Sequence, residues 1–379
     1  MTRFFAAAIG ALMFVVSNVT LADDKASFQV YSERLDESVT IRVALPESYL
    51  HSTDFAYPVL LVMDGSTQFE HIAGNVNFLS TFAEIPEMIV VGVSANNRLK
   101  NFTHTEVEQF AGRSGGAGRF TEFLLNELLP QLRDEYRVAP YTAVTGHSLS
   151  GLYTTYLALH HADEIQAVIS VSPSLWWDDF AILSHVGQLQ DERPASRWFA
   201  SMASEPGEMA EGFARLTQQL DSLSASNTEW ELQQFADETH DTTPLIGNVT
   251  GLRSIFNGFN AVPEVDVKSM QDLERYYQQY AVTSGYNLPM GHQQYNVYGL
   301  KAAYEGQLPW GIAILQAGTE QFPESEILWD SLATAYKMND DLPAALEASG
   351  KAVEFAKTHH SKYLSEILLQ NESLKRAER

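Results

Sequence analysis

Cysteine is absent from this 379-residue sequence, and basic residues are scarce. Without cysteine, the chain has no disulfide bond, no thiolate metal site and no cysteine nucleophile. Asp and Glu number 48 against 24 Lys and Arg, which gives a formal net charge of −24 at pH 7. A field of that sign repels nucleic acid and anionic membrane surfaces, so we predict that the protein binds neither.

Long apolar runs are also missing after the first 22 residues, so we expect no membrane-spanning segment. The amino terminus has the order of a secretory signal: Arg3, an apolar stretch over 4–16 and small residues that end at Ala22. We predict a signal peptide over 1–22 and an exported protein, periplasmic or secreted. The alternative is an uncleaved anchor, but the apolar stretch is short for a bilayer span.

Short runs of β-branched and apolar residues recur between residues 28 and 235. The first two, 28–32 and 38–44, flank a turn and predict an antiparallel pair. The other runs alternate with helical patterns such as 120–129 and 209–223 and predict parallel strands: 59–63, 88–93, 142–145, 167–171, 198–202 and 231–235. We therefore predict an α/β fold over 23–260, with helices on both faces of a mostly parallel sheet.

The segment 264–379 shows helical patterning alone, which predicts a second, all-α region. Its residues match the spacing of a tetratricopeptide repeat at two places 34 residues apart, and Pro323 falls where such a repeat ends: Tyr295, Tyr298, Gly299 and Ala302, then Trp329, Leu332, Ala333 and Tyr336. Because two repeats rarely fold alone, we expect them to pack against the first domain or against flanking helices. An ordinary helical hairpin is the alternative.

A nucleophile elbow is the sharpest motif in the chain. A predicted strand over 142–145 leads into Gly146-His147-Ser148-Leu149-Ser150-Gly151, and a helical pattern follows. An elbow needs small residues two positions before and after the nucleophile, because its turn is strained and crowded. Gly146 and Ser150 meet that need, although the strict pattern has glycine at 150. Ser148 is the predicted nucleophile.

A serine nucleophile needs a base, usually a histidine oriented by a carboxylate. Of the eleven histidines, His240 follows the last predicted strand, where the base of such a triad belongs. Glu205 ends the preceding strand and is the predicted acid, with Glu208 as the alternative. We expect His147 to point away from the nucleophile, and His160, His161, His359 and His360 to be solvated.

The tetrahedral intermediate needs two backbone N–H donors for its oxyanion. Leu149, which follows the nucleophile, and Ser66, in the loop after 59–63, are the predicted donors. Asp64 in that loop could instead ligate a metal, but no histidine or carboxylate accompanies it at ligand spacing, so we predict no metal. Trp176 and Trp177 follow another strand; we expect one to line the substrate pocket and the other to fill the core.

These motifs together resemble the putative esterase family of α/β-hydrolases, which includes esterase D-like enzymes and trilactone siderophore esterases. The resemblance covers about 27–259 and is carried by 59–65, 96–98 with Phe102-Thr103, 146–152, 172–177 and 238–240. It implies carboxylic ester hydrolysis without a cofactor, with Ser148 as nucleophile and His240 as base. It also supports the oxyanion assignment. The siderophore members use a basic pocket, to which Arg98 is the candidate counterpart, with Lys100 nearby.

We therefore predict an exported serine esterase that acts on a small-molecule ester through an acyl-enzyme on Ser148. Two alternatives remain open at this level. One is a catalytically weak binding protein that recruits a protein partner through its helical tail. The other is an acyltransferase of the same fold, like the mycolyl-transferring relatives of the family.

Overall fold

The sheet of the α/β region has eight strands. The computed structural model describes residues 25–190, 196–223, 228–260 and 269–378, so the predicted signal segment 1–22 lies outside the described residues. The strands are β1 (Lys25–Ser32), β2 (Glu37–Ala44), β3 (Tyr57–Met63), β4 (Ile89–Ser94), β5 (Val138–His147), β6 (Ala167–Val171), β7 (Ser196–Ala203) and β8 (Thr228–Phe235). All the predicted strands are present.

The strand order is β1-β2-β4-β3-β5-β6-β7-β8. β1 pairs antiparallel with β2, as the early hairpin pattern predicts, and β2 also pairs antiparallel with β4. β3 to β8 run parallel to one another. The predicted mostly parallel sheet is therefore confirmed, and its parallel strands present their carboxyl ends at a common edge.

Both faces of the sheet are buried, which is why its central strands are apolar throughout. Every residue of β3 is buried. Its side chains alternate: Val59, Leu61 and Met63 belong to one apolar cluster, and Leu60 and Val62 belong to the other. Period-two alternation sends successive side chains to opposite faces, so a strand between two helical layers must be apolar at every position.

The helices of the α/β region are α1 (Gly65–Thr81), α2 (Arg98–Phe102), α3 (Ala117–Phe123), α4 (Leu129–Glu135), α5 (Leu149–His160), α6 (Trp177–Phe180), α7 (Glu208–Asp221) and α8 (Thr243–Ile255). A π-helical turn over Leu124–Leu128 joins α3 to α4. Pro130 in the first turn of α4 cannot donate a main-chain hydrogen bond, which accounts for the irregular turn before it. The helices predicted over 120–129 and 209–223 are thus present, the first with this interruption.

The carboxyl-terminal region is all helical, as predicted. Its helices are α9 (Met270–Ser284), α10 (His292–Tyr304), α11 (Leu308–Gln321), α12 (Glu326–Met338), α13 (Leu342–Thr358) and α14 (Leu364–Ala377). α10 and α12 begin 34 residues apart, as do α11 and α13. Gly299 and Gly311 let α10 and α11 pack closely, since a Cβ at 299 would lie 2.5 Å from Leu315. This spacing supports the tetratricopeptide interpretation, which stays a prediction.

No helix in the described ranges combines the length and apolar character that a bilayer crossing requires.

The helical tail packs against the amino-terminal ends of the parallel strands. Phe322 packs at a tilt against Phe55, just before β3, with ring centroids 4.9 Å apart. The side-chain amide of Gln294 donates to the carbonyl of Ile85, just before β4, at 3.2 Å. These contacts lie at the edge opposite the carboxyl ends of the strands. The tail is therefore placed to buttress the α/β region at that edge.

Phe322 tests this shared core, because it is fully buried and belongs to the same apolar cluster as β3. We expect Phe322→Ala to lower the free energy of unfolding by about 3–5 kcal/mol. The urea midpoint should fall equally when followed by tryptophan fluorescence and by ester turnover. Phe82→Ala is the matched control, since Phe82 is 56% exposed, and should change stability by about 0.5 kcal/mol or less. An unchanged midpoint for turnover in Phe322→Ala would show that the tail is energetically separate.

Candidate active site

The loops that follow β3, β5, β7 and β8 meet at the carboxyl edge of the sheet. They carry Asp64, Ser148, Glu205 and His240, respectively. Open parallel sheets collect ligand-binding and reacting groups at this edge, because the strands all end there. Four segments that are distant in sequence thus contribute to one site.

Ser148 occupies a sharp turn between β5 and α5, with φ 61° and ψ −116°. This backbone conformation is strained for a residue with a side chain, and strain of this kind is typical of an elbow that exposes a nucleophile. Gly146 and Gly151 permit the turn. A Cβ at 146 would lie 2.4 Å from the carbonyl oxygen of Ser150, and one at 151 would lie 2.8 Å from that of Val171. The predicted strand, turn and helix are therefore present around Ser148.

Ser148, His240 and Glu205 form a continuous chain of hydrogen bonds. The Ser148 Oγ lies 2.9 Å from Nε2 of His240, and Nδ1 of His240 lies 2.8 Å from Oε2 of Glu205. The Ser172 hydroxyl donates to Oε1 of Glu205 at 2.6 Å, and the Ala203 N–H lies 3.3 Å from the same oxygen. The geometry is that of a nucleophile, a base and an orienting carboxylate.

Glu205, and not Glu208, is the carboxylate that the structure places against His240. Glu208 is the first residue of α7, where an acidic side chain complements the helix dipole. The structure thereby distinguishes two residues that the sequence left as alternatives.

The electrostatics of the Glu205–His240 pair favour an ionised carboxylate beside a basic imidazole. Burial raises the pKa of Glu205, but hydrogen bonds from His240 and Ser172 outweigh it, and the pKa of Glu205 is lowered overall. The hydrogen bond to Glu205 raises the pKa of His240 above its ordinary value, against the opposing effect of burial. The imidazole is therefore held in one orientation with its Nε2 directed at Ser148.

The predicted oxyanion donors, Ser66 and Leu149, lie in the first turns of α1 and α5. N–H groups in the first turn of a helix have no acceptor within that helix, so they are free to face a ligand. Gly65 brings the start of α1 against β4, since a Cβ there would lie 2.5 Å from the main chain of Gly92. The use of these two donors stays a prediction.

Asp64 links the elbow to the loop after β3. Its Oδ1 lies 2.9 Å from Nε of Arg98, and its Oδ2 accepts from the Ser150 hydroxyl at 2.7 Å. The Ser150 Oγ also accepts from the His147 N–H at 2.9 Å, and Nη2 of Arg98 donates to the His147 carbonyl at 3.1 Å. Ser150, which stands where the strict motif has glycine, therefore helps to position the elbow against the loop after β3. The sequence alone did not indicate this role.

His147 contacts His240. The sequence predicted that His147 points away from the nucleophile, but it did not predict this contact. The two rings lie 4.5 Å apart, and Nε2 of His147 donates to the carbonyl of His240 at 2.8 Å. Burial, followed by the proximity of His240, lowers the pKa of His147 to about 4. His147 is therefore a neutral side chain that holds the loop carrying the base.

Trp176 and Trp177 differ in burial, and this difference decides between the two roles that the sequence could not assign. Trp177 is 2% exposed and donates from Nε1 to the Thr105 hydroxyl at 3.0 Å, so it belongs to the core and not to a substrate surface. Trp176 is 37% exposed and follows Ser174, whose Oγ lies 3.4 Å from that of Ser148. Trp176 is therefore the tryptophan available to a substrate, and Arg98 lies at the same edge with its side chain 42% exposed.

The chain is similar in sequence to a family of esterases and to two proteins of Bacillus subtilis (strain 168). The family model described as "Putative esterase" matches residues 32–238. The uncharacterized protein YbbA of Bacillus subtilis (strain 168) is 27% identical over 179 residues, which are 45% of this chain and 70% of YbbA. Ferri-bacillibactin esterase BesA of the same organism is 24% identical over 212 residues, or 48% of this chain and 73% of BesA.

Solved structures resemble both parts of the chain in fold. An IroE-like serine hydrolase from Shewanella oneidensis aligns with a TM-score of 0.69 and 24% identity, covering 79% of this chain and 99% of that one. An uncharacterised protein from Capnocytophaga ochracea aligns with a TM-score of 0.58 and 18% identity, covering 93% of this chain and 99% of that one. The second likeness extends over most of the helical tail as well as the α/β region.

Proposed function

Because this chain belongs to the putative esterase family and is a carboxylic ester hydrolase, we propose that it acts through an acyl-enzyme on Ser148 with His240 as the base. The observation that carries this proposal is the hydrogen-bonded chain from Ser148 through His240 to Glu205, with distances of 2.9 Å and 2.8 Å. Serine is a weak nucleophile on its own, and such a chain is the arrangement that activates it.

The reaction proceeds in two halves. The Ser148 Oγ attacks the ester carbonyl carbon while Nε2 of His240 takes the serine proton, and the N–H groups of Ser66 and Leu149 receive the negative oxygen. His240 returns the proton to the leaving alcohol as the carbon–oxygen bond breaks, which leaves the acyl group on Ser148. Water then attacks the acyl carbon, His240 takes its proton, and the acid leaves as the proton returns to Ser148.

The substrate class follows from the charge around the site. BesA is named for a ferric siderophore, but Arg98, the cation that the sequence predicts for this pocket, is already paired with the carboxylate of Asp64. An anionic ligand would compete with that pair, whereas Trp176 offers an exposed apolar face. We propose a small uncharged ester, with kcat/KM for p-nitrophenyl butyrate at least about tenfold above that for the p-nitrophenyl monoester of succinate. Equal or reversed values would exclude this substrate class.

An active-site-directed reagent tests the mechanism. We expect a fluorophosphonate to add once to the purified protein, as read by intact mass, and peptide mapping to place the adduct on Ser148. Ester turnover should fall in proportion to labelling. A well-folded protein that hydrolyses esters without forming this adduct would refute the acyl-enzyme.

Export is part of the proposal and rests on the sequence of residues 1–22. The same intact-mass measurement tests it when the full-length gene is expressed in a bacterial host. A mature chain that begins at Asp23 and is recovered from the periplasm or the medium is the expected result. An intact mass that retains residues 1–22 in all fractions would refute cleavage after Ala22.

A further inference from the structure

Three potential metal ligands from distant parts of the sequence meet where the helical tail contacts the α/β region. The Glu326 Oε2 lies 3.3 Å from Nε2 of His51 and 3.4 Å from Nδ1 of His359. All three ligand atoms lie within 4.8 Å of one another. His51 precedes β3, Glu326 is the first residue of α12 and His359 follows α13. The cluster therefore joins three segments and lies at the edge of the sheet opposite Ser148.

The cluster is buried, so any charge on it needs a compensating partner. His51 and Glu326 are each 3% exposed. Among the described residues, the ion-pair partners of Glu326 are His51 and His359, neither of which carries a permanent charge. A buried carboxylate oxygen that faces two imidazole nitrogens is a donor set that suits a divalent ion, and such an ion would compensate the buried carboxylate.

The spacing of the three atoms fits a tetrahedral ion. Zinc binds imidazole nitrogen and carboxylate oxygen at roughly 2.0–2.2 Å, so two ligand atoms at a tetrahedral zinc are roughly 3.4 Å apart. Two of the three separations in the cluster, those from Glu326 Oε2 at 3.3 Å and 3.4 Å, match this value, and the third is within 4.8 Å. The expectation that His359 is solvated is wrong, because its side chain is 13% exposed.

The surroundings of His359 resemble those of a metal ligand. With Nδ1 facing Glu326, its Nε2 lies 3.4 Å from Oε2 of Glu324. Histidines that bind metals usually donate their second ring N–H to a carboxylate, which fixes the tautomer. His292 packs on His51 with ring centroids 5.3 Å apart, and its Nε2 is bonded to the Ser325 hydroxyl at 2.6 Å, but it does not belong to the group of ligand atoms within 4.8 Å of one another.

We propose that His51, Glu326 and His359 bind one zinc ion, with water as the fourth ligand, and that this ion fastens the helical tail to the α/β region. The site lies on the far side of the sheet from Ser148, so the ion takes no part in the reaction at that serine, and its contribution here is to hold the three segments together. Its ligands are separated by as many as 308 positions in the sequence, which is why the pattern of residues predicted no metal.

The test uses the full chain, freed of metal with a chelator and titrated with Zn²⁺ against a chromophoric indicator. We expect one equivalent to bind and to raise the melting temperature. His359→Asn and Glu326→Gln should each weaken binding at least about tenfold and remove the thermal shift. His360→Asn is the matched control, since His360 is exposed with φ 52°, a conformation that asparagine tolerates. Its binding should equal that of the unmodified chain.

Co²⁺ gives a second readout, because the intensity of its visible absorption distinguishes tetrahedral from octahedral binding. We expect an intense band in the unmodified chain that is lost in His359→Asn. Ester turnover of folded His359→Asn and Glu326→Gln should stay within about twofold of that of the unmodified chain, since the cluster is remote from the site. Absence of saturable binding, or binding that survives both ligand variants, would overturn the proposal.

Discussion

Ser148→Ala should reduce kcat/KM for ester hydrolysis by about 10⁴- to 10⁶-fold. The substitution removes the only atom of residue 148 that can attack the carbonyl, and residual rates would come from binding and the oxyanion donors. The fold should survive, because alanine is smaller than serine and Ser148 already has the strained φ of 61°. Steady-state kinetics and the urea midpoint of the same preparation measure both effects.

Ser174→Ala is the matched control for this variant. The Ser174 Oγ lies 3.4 Å from that of Ser148 and is not part of the hydrogen-bonded chain from Ser148 through His240 to Glu205, so its loss should reduce kcat/KM by about tenfold or less. The fluorophosphonate adduct should persist in Ser174→Ala and vanish in Ser148→Ala. Comparable activity in Ser148→Ala and the unmodified chain would exclude this serine as the nucleophile.

Glu205→Gln should reduce kcat/KM by about 10³- to 10⁴-fold while leaving the site assembled. Glutamine has nearly the same shape, but it can donate to Nδ1 of His240 and so favours the wrong tautomer, with the proton on Nε2 facing Ser148. Glu208→Gln changes the same residue type three positions away, at the start of α7. Its kcat/KM should stay within about twofold of that of the unmodified chain. The reverse ranking would assign the acid to Glu208.

The pH dependence of ester turnover distinguishes two effects of Glu205→Gln: a misoriented His240 and a general disturbance of the site. His240 accepts a proton only when neutral, and Glu205 raises its pKa above the ordinary value of about 6.5. Activity of the unmodified chain should therefore fall as pH drops through that raised pKa. In Glu205→Gln the pKa falls, and the acid limb of the remaining activity should move to lower pH. An acid limb that does not move would show that Glu205 does not act through His240.

The strands, the elbow and the helical tail could be predicted because each depends on neighbouring residues. The alternation of short apolar runs with helical patterns indicates a parallel sheet covered on both faces, and β3 is buried at every position as that requires. Gly146 and Ser148 predict the elbow because the strained turn excludes larger side chains locally. His240 could be selected because the base of such a site follows the last strand.

The choice among chemically similar residues depended on the tertiary structure. Glu205 and Glu208 are three positions apart, and only the direction of β7 relative to β8 places the first against His240. Trp176 and Trp177 are adjacent, and only packing decides which one is buried. The link from Asp64 to Arg98 and Ser150 joins three loops whose proximity no local pattern encodes.

By itself, the sequence determined the fold class and the helical nature of the tail, and it singled out Ser148 and His240 as candidates, since these follow from periodicity and from local steric demands. The tertiary structure alone decided which glutamate faces His240, which tryptophan is exposed, the edge against which the tail packs and the meeting of His51, Glu326 and His359. These depend on contacts between residues far apart in the chain, which form only when the strands and helices assemble.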